Sequence, residues 1–208
     1  MTADPRKMEH QLLSVAITLP PGTEDHAAVV IAAMVGRLGF SALHLAEVPE
    51  NPAVLERLVA AADPALVVID TADDALGLVR VNDPAEVSRT RAKLDSEASG
   101  RPLLVAVPIS LGRTLNEAIA RADLEPRFIG SRHPRVAGIF GSFEQAQEQV
   151  LALARAGADG LILDVPVARD VADVLAQIRA LVVGATPELL KRSMTAGDPE
   201  PPRTVFYS

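Results

Sequence analysis

The chain has 208 residues, 49% of them hydrophobic and 23% charged, enough for one domain with a sizeable core. With no cysteine, disulfides, thiol catalysis and zinc–thiolate sites are excluded. A net charge of −7, no Trp and only 3% aromatic residues argue against a nucleic-acid partner, whether held by charge or by base stacking.

The chain reads as an alternation of short apolar strands and amphipathic helices. Residues 1–10 read as a loose leader without the basic-then-apolar plan of a signal peptide, and no apolar run nears the ~20 residues of a membrane span. Cytoplasmic location and no membrane partner are the expectations. Leu13–Leu19 is a strand stopped by Pro20-Pro21-Gly22, and Thr23–His26 opens a helix whose apolar stripe runs to Leu38 and stops at Gly39. Phe40–Ala46 is the second strand, and Asn51-Pro52 starts a helix closed by Asp63-Pro64. Ala65–Ile69 is an apolar strand, followed after only a few residues by another at Leu76–Val81. Asp83-Pro84 caps a helix running toward Gly100. Leu103–Val107 is a strand, Thr114–Ala122 a helix, and 123–137 a polar, arginine-bearing loop.

Gly138-Ile-Phe-Gly141 reads as a glycine turn, Ser142 as the cap of a helix over 143–156, and 160–165 as a buried strand. A last helix starts near Asp170. The expected architecture is therefore α/β, with about six parallel strands wrapped by crossover helices in one domain spanning residues 1–192. That is fewer strands than the eight of a closed barrel. Residues 193–208, rich in proline and ending Val205-Phe206-Tyr207, read as an extended arm.

Several residues carry candidate chemistry. Ser142 with Gln145 three positions on is a capping-box pattern, and Gly138 and Gly141 free the backbone before it. Exposed N–H groups and the helix dipole make such a terminus an anion site, with Arg132, His133 and Arg135 nearby. A cofactor phosphate at Gly141–Ser142 and an ordinary capped helix are both readings of this pattern. His44 alternates with Leu43 and Leu45; if the leucines face the helices, it points into the barrel as an acid or base, or else it is a structural histidine. Glu47 stands at the C-terminal end of the same strand, as a catalytic group or as an arginine partner. Arg80, a charge within a short strand, needs a partner or a solvent-facing side, or else projects inward to bind an anion. Asp70, Asp73 and Asp74 are the residue types of a hard-cation site, but a solvated turn accounts for them and no metal is assigned.

The ordered set Leu38–Glu47, Gly112–Ala118 with Arg121-Ala122, and Phe140–Leu163 resembles the luciferase-like monooxygenases, flavin- or F420-dependent enzymes on a TIM barrel. The resemblance implies a truncated barrel, because strands like the family's fourth and fifth are missing and Val48 stands where many members carry a histidine. It also implies an oxidoreductase using reduced FMN or F420 on a small organic molecule. His44 and Glu47 would then be catalytic, with Gly141, Ser142, Arg132, Arg135 and Arg80 on the cofactor. The alternative is a non-catalytic ligand-binding or assembly subunit of the same ancestry. In either case a homodimer would cover the edges that a shortened barrel leaves open.

Overall fold

The computed structural model describes residues 13–69, 77–97, 100–123, 128, 134–165 and 171–195. Among them lie strands β1 (Ser14–Leu19), β2 (Ala42–Leu45), β3 (Leu66–Ile69), β4 (Gly77–Val79), β5 (Leu103–Leu111), β6 (Ile139–Gly141) and β7 (Gly160–Asp164). The helices are α1 (Asp25–Arg37), α2 (Pro52–Ala62), α3 (Pro84–Ser96), α4 (Leu115–Ala122), α5 (Pro134–Ala137), α6 (Phe143–Arg155) and α7 (Val171–Thr195). The proline-rich stretch expected beyond α7 lies outside the described residues, as do Asp70, Asp73, Asp74 and Arg132.

Every strand pairing is parallel, in the order β3-β2-β1-β7-β5-β4, with β6 beside the upper part of β5. The five helices α2, α1, α7, α6 and α3 follow one another around one face. They bury the alternate strand residues Val15, Ile17, Leu43, Leu45, Val105, Val107, Leu161 and Leu163 in the main core. This is the expected α/β arrangement of incomplete-barrel type: β3 and β4 are consecutive in sequence yet stand at opposite edges, and the described strands do not close into a ring. Where α1 crosses α2, Gly36 makes room, since a Cβ there would overlap the carbonyls of Ala62 and Asp63.

Two elements differ from the sequence reading. β5 runs past Pro108 to Leu111, because the proline falls in the gap along one side of β5, between β4, which pairs through Val105, and β6, which pairs from Ile109 onward. A missing N–H is tolerated at such a break. The glycine turn at 138–141 contains a true strand, β6, which makes seven strands rather than six. Among the described residues, one side of β6 is paired to a strand; on its other side the Gln149 amide takes the ladder's place. Phe140 N–H donates to Gln149 Oε1 (3.3 Å), and Gln149 Nε2 donates to Phe140 O (2.9 Å). Asn82, just past β4, donates from Nδ2 to Gly138 O (2.9 Å), Arg135 O (2.8 Å) and Gln149 Oε1 (2.9 Å). β6 therefore continues the edge of β5 above the point where β4 ends.

A second clasp holds the lower end of β5. Asp159 Oδ2 accepts from Leu103 N–H (2.7 Å) and pairs with Arg91 of α3, whose guanidinium also donates to Gly157 O.

Candidate functional site

The strand face opposite the five helices carries the alternate residues. Register places them in levels: Leu66, Ala42, Ala16, Ile162 and Ala106 form one, and Val68, His44, Thr18, Asp164 and Pro108 form the next, toward the C-terminal strand ends. His44 thus faces away from the helical layer, because Leu43 and Leu45 occupy it. Alternation within the strand was sufficient to place it.

The level of His44 is the polar one. Thr18 is its cross-strand neighbour on β1, and Asp164 lies beyond on β7. With parallel strands about 4.8 Å apart, the His44 and Asp164 backbones stand roughly 9.6 Å from each other across Thr18. His44 and Asp164 are both half-buried, and both have interactions of their own. Thr18 is 8% exposed, and its Oγ1 is fully buried without a hydrogen bond among the described residues. An unsatisfied buried hydroxyl costs about 1–3 kcal/mol, so this atom asks for a partner. The sequence reading named His44 but passed over Thr18. Its signal was the alternation Ser14, Ala16, Thr18 against Val15, Ile17, Leu19, and its significance needed the strand order.

The level below is apolar, with Ala42, Ala16 and Ala106 as small side chains beside Leu66 and Ile162. At one end of the face Leu66 and Val68 on the edge strand β3 stand 48% and 40% exposed. At the other end α4 lies on this face, apart from the five-helix layer. Ser110 Oγ donates to Ala118 O (2.7 Å), and Ala118 and Ala122 pack with Phe128 and Phe140. The two rings sit 6.1 Å apart, tilted by 59°.

The remaining candidates are scattered. Glu47 is exposed in the bend after β2, at the same end of the sheet as Asp164. Arg80 is exposed directly after β4 and has an interaction of its own. Arg135, on α5, is exposed beside an apolar groove of about 400 Å³ lined by Leu115, Ile119, Pro134 and Phe140.

Gly141 ends β6 with φ of 131°, and Ser142 caps α6 in the anticipated capping box. Ser142 N–H donates to Gln145 Oε1 (3.1 Å), Gln145 N–H donates to Ser142 Oγ (3.4 Å), and Ser142 Oγ donates to Glu144 (2.9 Å). Glu144's carboxyl titrates below its ordinary 4.5 because its own backbone N–H, and then the Ser142 hydroxyl, bond to the ionised form. The space over Gly141 is filled by the Gln145 side chain. A phosphate binding here would displace a carboxylate and an amide that already serve the helix terminus.

No group of three or more His, Asp or Glu side chains among the described residues is arranged to hold a metal ion. No described helix is long and apolar enough to cross a membrane.

An α/β sheet of incomplete-barrel type, with its polar level at the C-terminal strand ends, is the class that fold and site define. Among solved structures, coenzyme F420-dependent tetrahydromethanopterin reductase from Methanopyrus kandleri is similar, with a TM-score of 0.65 and 9% identity over 84% of this chain and 99% of that chain. A truncated 3-deoxy-D-arabino-heptulosonate 7-phosphate synthase from Thermotoga maritima gives 0.41 and 13% over 88% and 87%. (S)-3-O-geranylgeranylglyceryl phosphate synthase from Thermoplasma acidophilum gives 0.38 and 14% over 82% and 92%. The first likeness is one of fold. No protein-family model and no curated protein matches the chain.

Proposed function

We propose that the protein is an oxidoreductase-type relative of the luciferase-like enzymes that binds a flavin or deazaflavin ring, F420 or FMN, against the face carrying His44, Thr18 and Asp164. The observation that carries this reading is the register. It assembles an acid/base-capable imidazole, a buried hydroxyl without a partner and a carboxylate at one level, at the strand ends where barrel-type enzymes keep their chemistry. The fold likeness to an F420-dependent reductase supports the same cofactor class.

The residues fit such a ring. Ala16, Ala42 and Ile162 make the adjoining level apolar, and Thr18 offers a hydrogen bond that the described residues leave unused. When bound, the cofactor would supply hydride or electron transfer to a small organic molecule. The chain's part is to bind, orient and exclude water, with His44 holding or accepting a proton at the ring edge.

Absorbance and fluorescence titration with F420 and with FMN tests the reading. Saturable binding of one of them at micromolar concentration, weakened by His44→Ala, is the expected result. No binding of either at tens of micromolar sinks it.

A second reading, an assembly subunit, is favoured by one observation. Edge strand β3 is uncharged and presents Leu66 and Val68 to solvent, the kind of edge that recruits another strand. A homodimer joined there would bury both residues twice over. Sedimentation equilibrium of wild type and Leu66→Lys should show a dimer dissociated by the substitution; a wild-type monomer at 100-fold varied loading refutes it.

A further inference from the structure

We infer that Thr18 and Asp164 form a recognition pair for the lactam edge of a cyclic amide, the adjacent C=O and N–H of a ring such as a pyrimidinedione. The inference rests on the cofactor reading above and adds which edge of the ring enters first. Thr18 is more than nine-tenths buried, its side chain stands on the sheet face opposite the five-helix layer, and its Oγ1 has no hydrogen bond among the described residues. Asp164 is its direct cross-strand neighbour on that face.

A hydroxyl donates one hydrogen bond, and an ionised carboxylate only accepts. Side by side, they match a group that presents an acceptor next to a donor. A cis-amide edge is such a group, with its C=O toward Thr18 and its N–H toward Asp164. Asp164 has another interaction, but a carboxylate has about four lone-pair sites and retains capacity. His44, on the other side of Thr18, is placed to meet the carbonyl's second lone pair. The apolar level of Ala16, Ala42 and Ile162 excludes water from beside the ring and so strengthens both bonds.

The pairing discriminates chemically. Methylation of the amide nitrogen removes the donor and leaves the Asp164 carboxylate facing a methyl group. A ring without an amide leaves both Thr18 and Asp164 unmatched. Purely apolar planar molecules should bind weakly for that reason.

The test uses the full chain and three fluorescent probes: lumiflavin, 3-methyl-lumiflavin and the smaller pteridinedione lumazine. Wild type should bind lumiflavin about tenfold more tightly than its 3-methyl derivative. Thr18→Val should lower lumiflavin affinity about five- to tenfold with a melting temperature no lower than that of wild type, and Thr18→Ser should restore the affinity. Asp164→Asn should abolish the preference for the unmethylated ring. Equal affinity for the two lumiflavins, or a Thr18→Val protein that binds like wild type, overturns the inference. The two proposals fail separately. FMN or F420 binding that ignores Thr18 sinks the edge assignment and leaves the cofactor reading standing. Thr18-dependent binding of lumazine by a protein that rejects both FMN and F420 does the reverse.

Discussion

Replacing Gln149 by alanine should destabilise the protein far more than a helix-surface substitution ordinarily does. Its amide makes four hydrogen bonds: with Phe140 N–H, Phe140 O, Gln145 O and Asn82. Two of these groups belong to the backbone of β6, where Phe140 is buried. A buried backbone group left without a partner costs about 1–3 kcal/mol. Gln149 is itself half-buried, so water can replace part of what is lost. Alanine's better helix propensity returns a few tenths of a kcal/mol. The net expectation is a loss of about 2–3 kcal/mol. For a domain of this size that is a drop of roughly 5–10 °C in melting temperature. In urea it is a midpoint lowered by about 1 M with m unchanged.

Gln149→Glu separates the amide's two roles. It keeps an acceptor for Phe140 N–H and Asn82 but sets carboxylate oxygens against the carbonyls of Phe140 and Gln145. At neutral pH it should be at least as damaging as alanine, and it should recover below the carboxyl's pKa, where the protonated form donates again. Asn82→Ala combined with Gln149→Ala should lose less than the sum of the single losses, since the two side chains share a bond. A Gln149→Ala midpoint within about 0.2 M of wild type would falsify the claim that this side chain stands in for a strand.

Three other outcomes are expected. Gly36→Ala would gain about 1 kcal/mol of helix propensity, yet its methyl would meet the backbone of Ala62 and Asp63; overpacking costs about 1–3 kcal/mol or more, so a lower melting temperature is predicted. Asp159→Ala should cost about 1–3 kcal/mol in urea unfolding, because Leu103 N–H and the half-buried Arg91 both lose an acceptor. Glu144→Gln should flatten the acid limb of the stability–pH curve. The folded-state pKa is depressed, so the carboxylate's contribution is present above its ordinary 4.5 and is lost as pH falls through the lower folded value; an unchanged limb on thermal scans would contradict this.

The sequence was most legible where its punctuation is local. Asn51-Pro52 and Asp83-Pro84 announce α2 and α3, and each cap side chain accepts from the backbone N–H two residues on. Ser142 and Gln145 form the capping box that their spacing predicts. The orientation of His44 followed from the leucines beside it. Non-local partners were invisible. β6 is three residues that follow Gly138 and end on Gly141, and it is a strand only because β5 pairs with one side and Gln149 with the other. Pro108 looked like a stop because nothing local tells that the strand changes neighbours there. Thr18 acquires meaning only when β1 lies between β2 and β7, a fact of strand order that no window of sequence contains.

The placement of β3 and β4 at opposite edges limits how the sheet can bend. Crossing from one edge to the other along the order β3-β2-β1-β7-β5-β4 involves five inter-strand gaps, about 24 Å if the sheet were flat. The chain must also return from the end of one strand to the start of the next, while only eight peptide steps separate Ile69 from Gly77, a reach of at most about 26–29 Å. A flat sheet would use nearly the whole of that reach for the width alone. With so few residues between them, the two edge strands are drawn toward each other and the described sheet curves rather than lies flat.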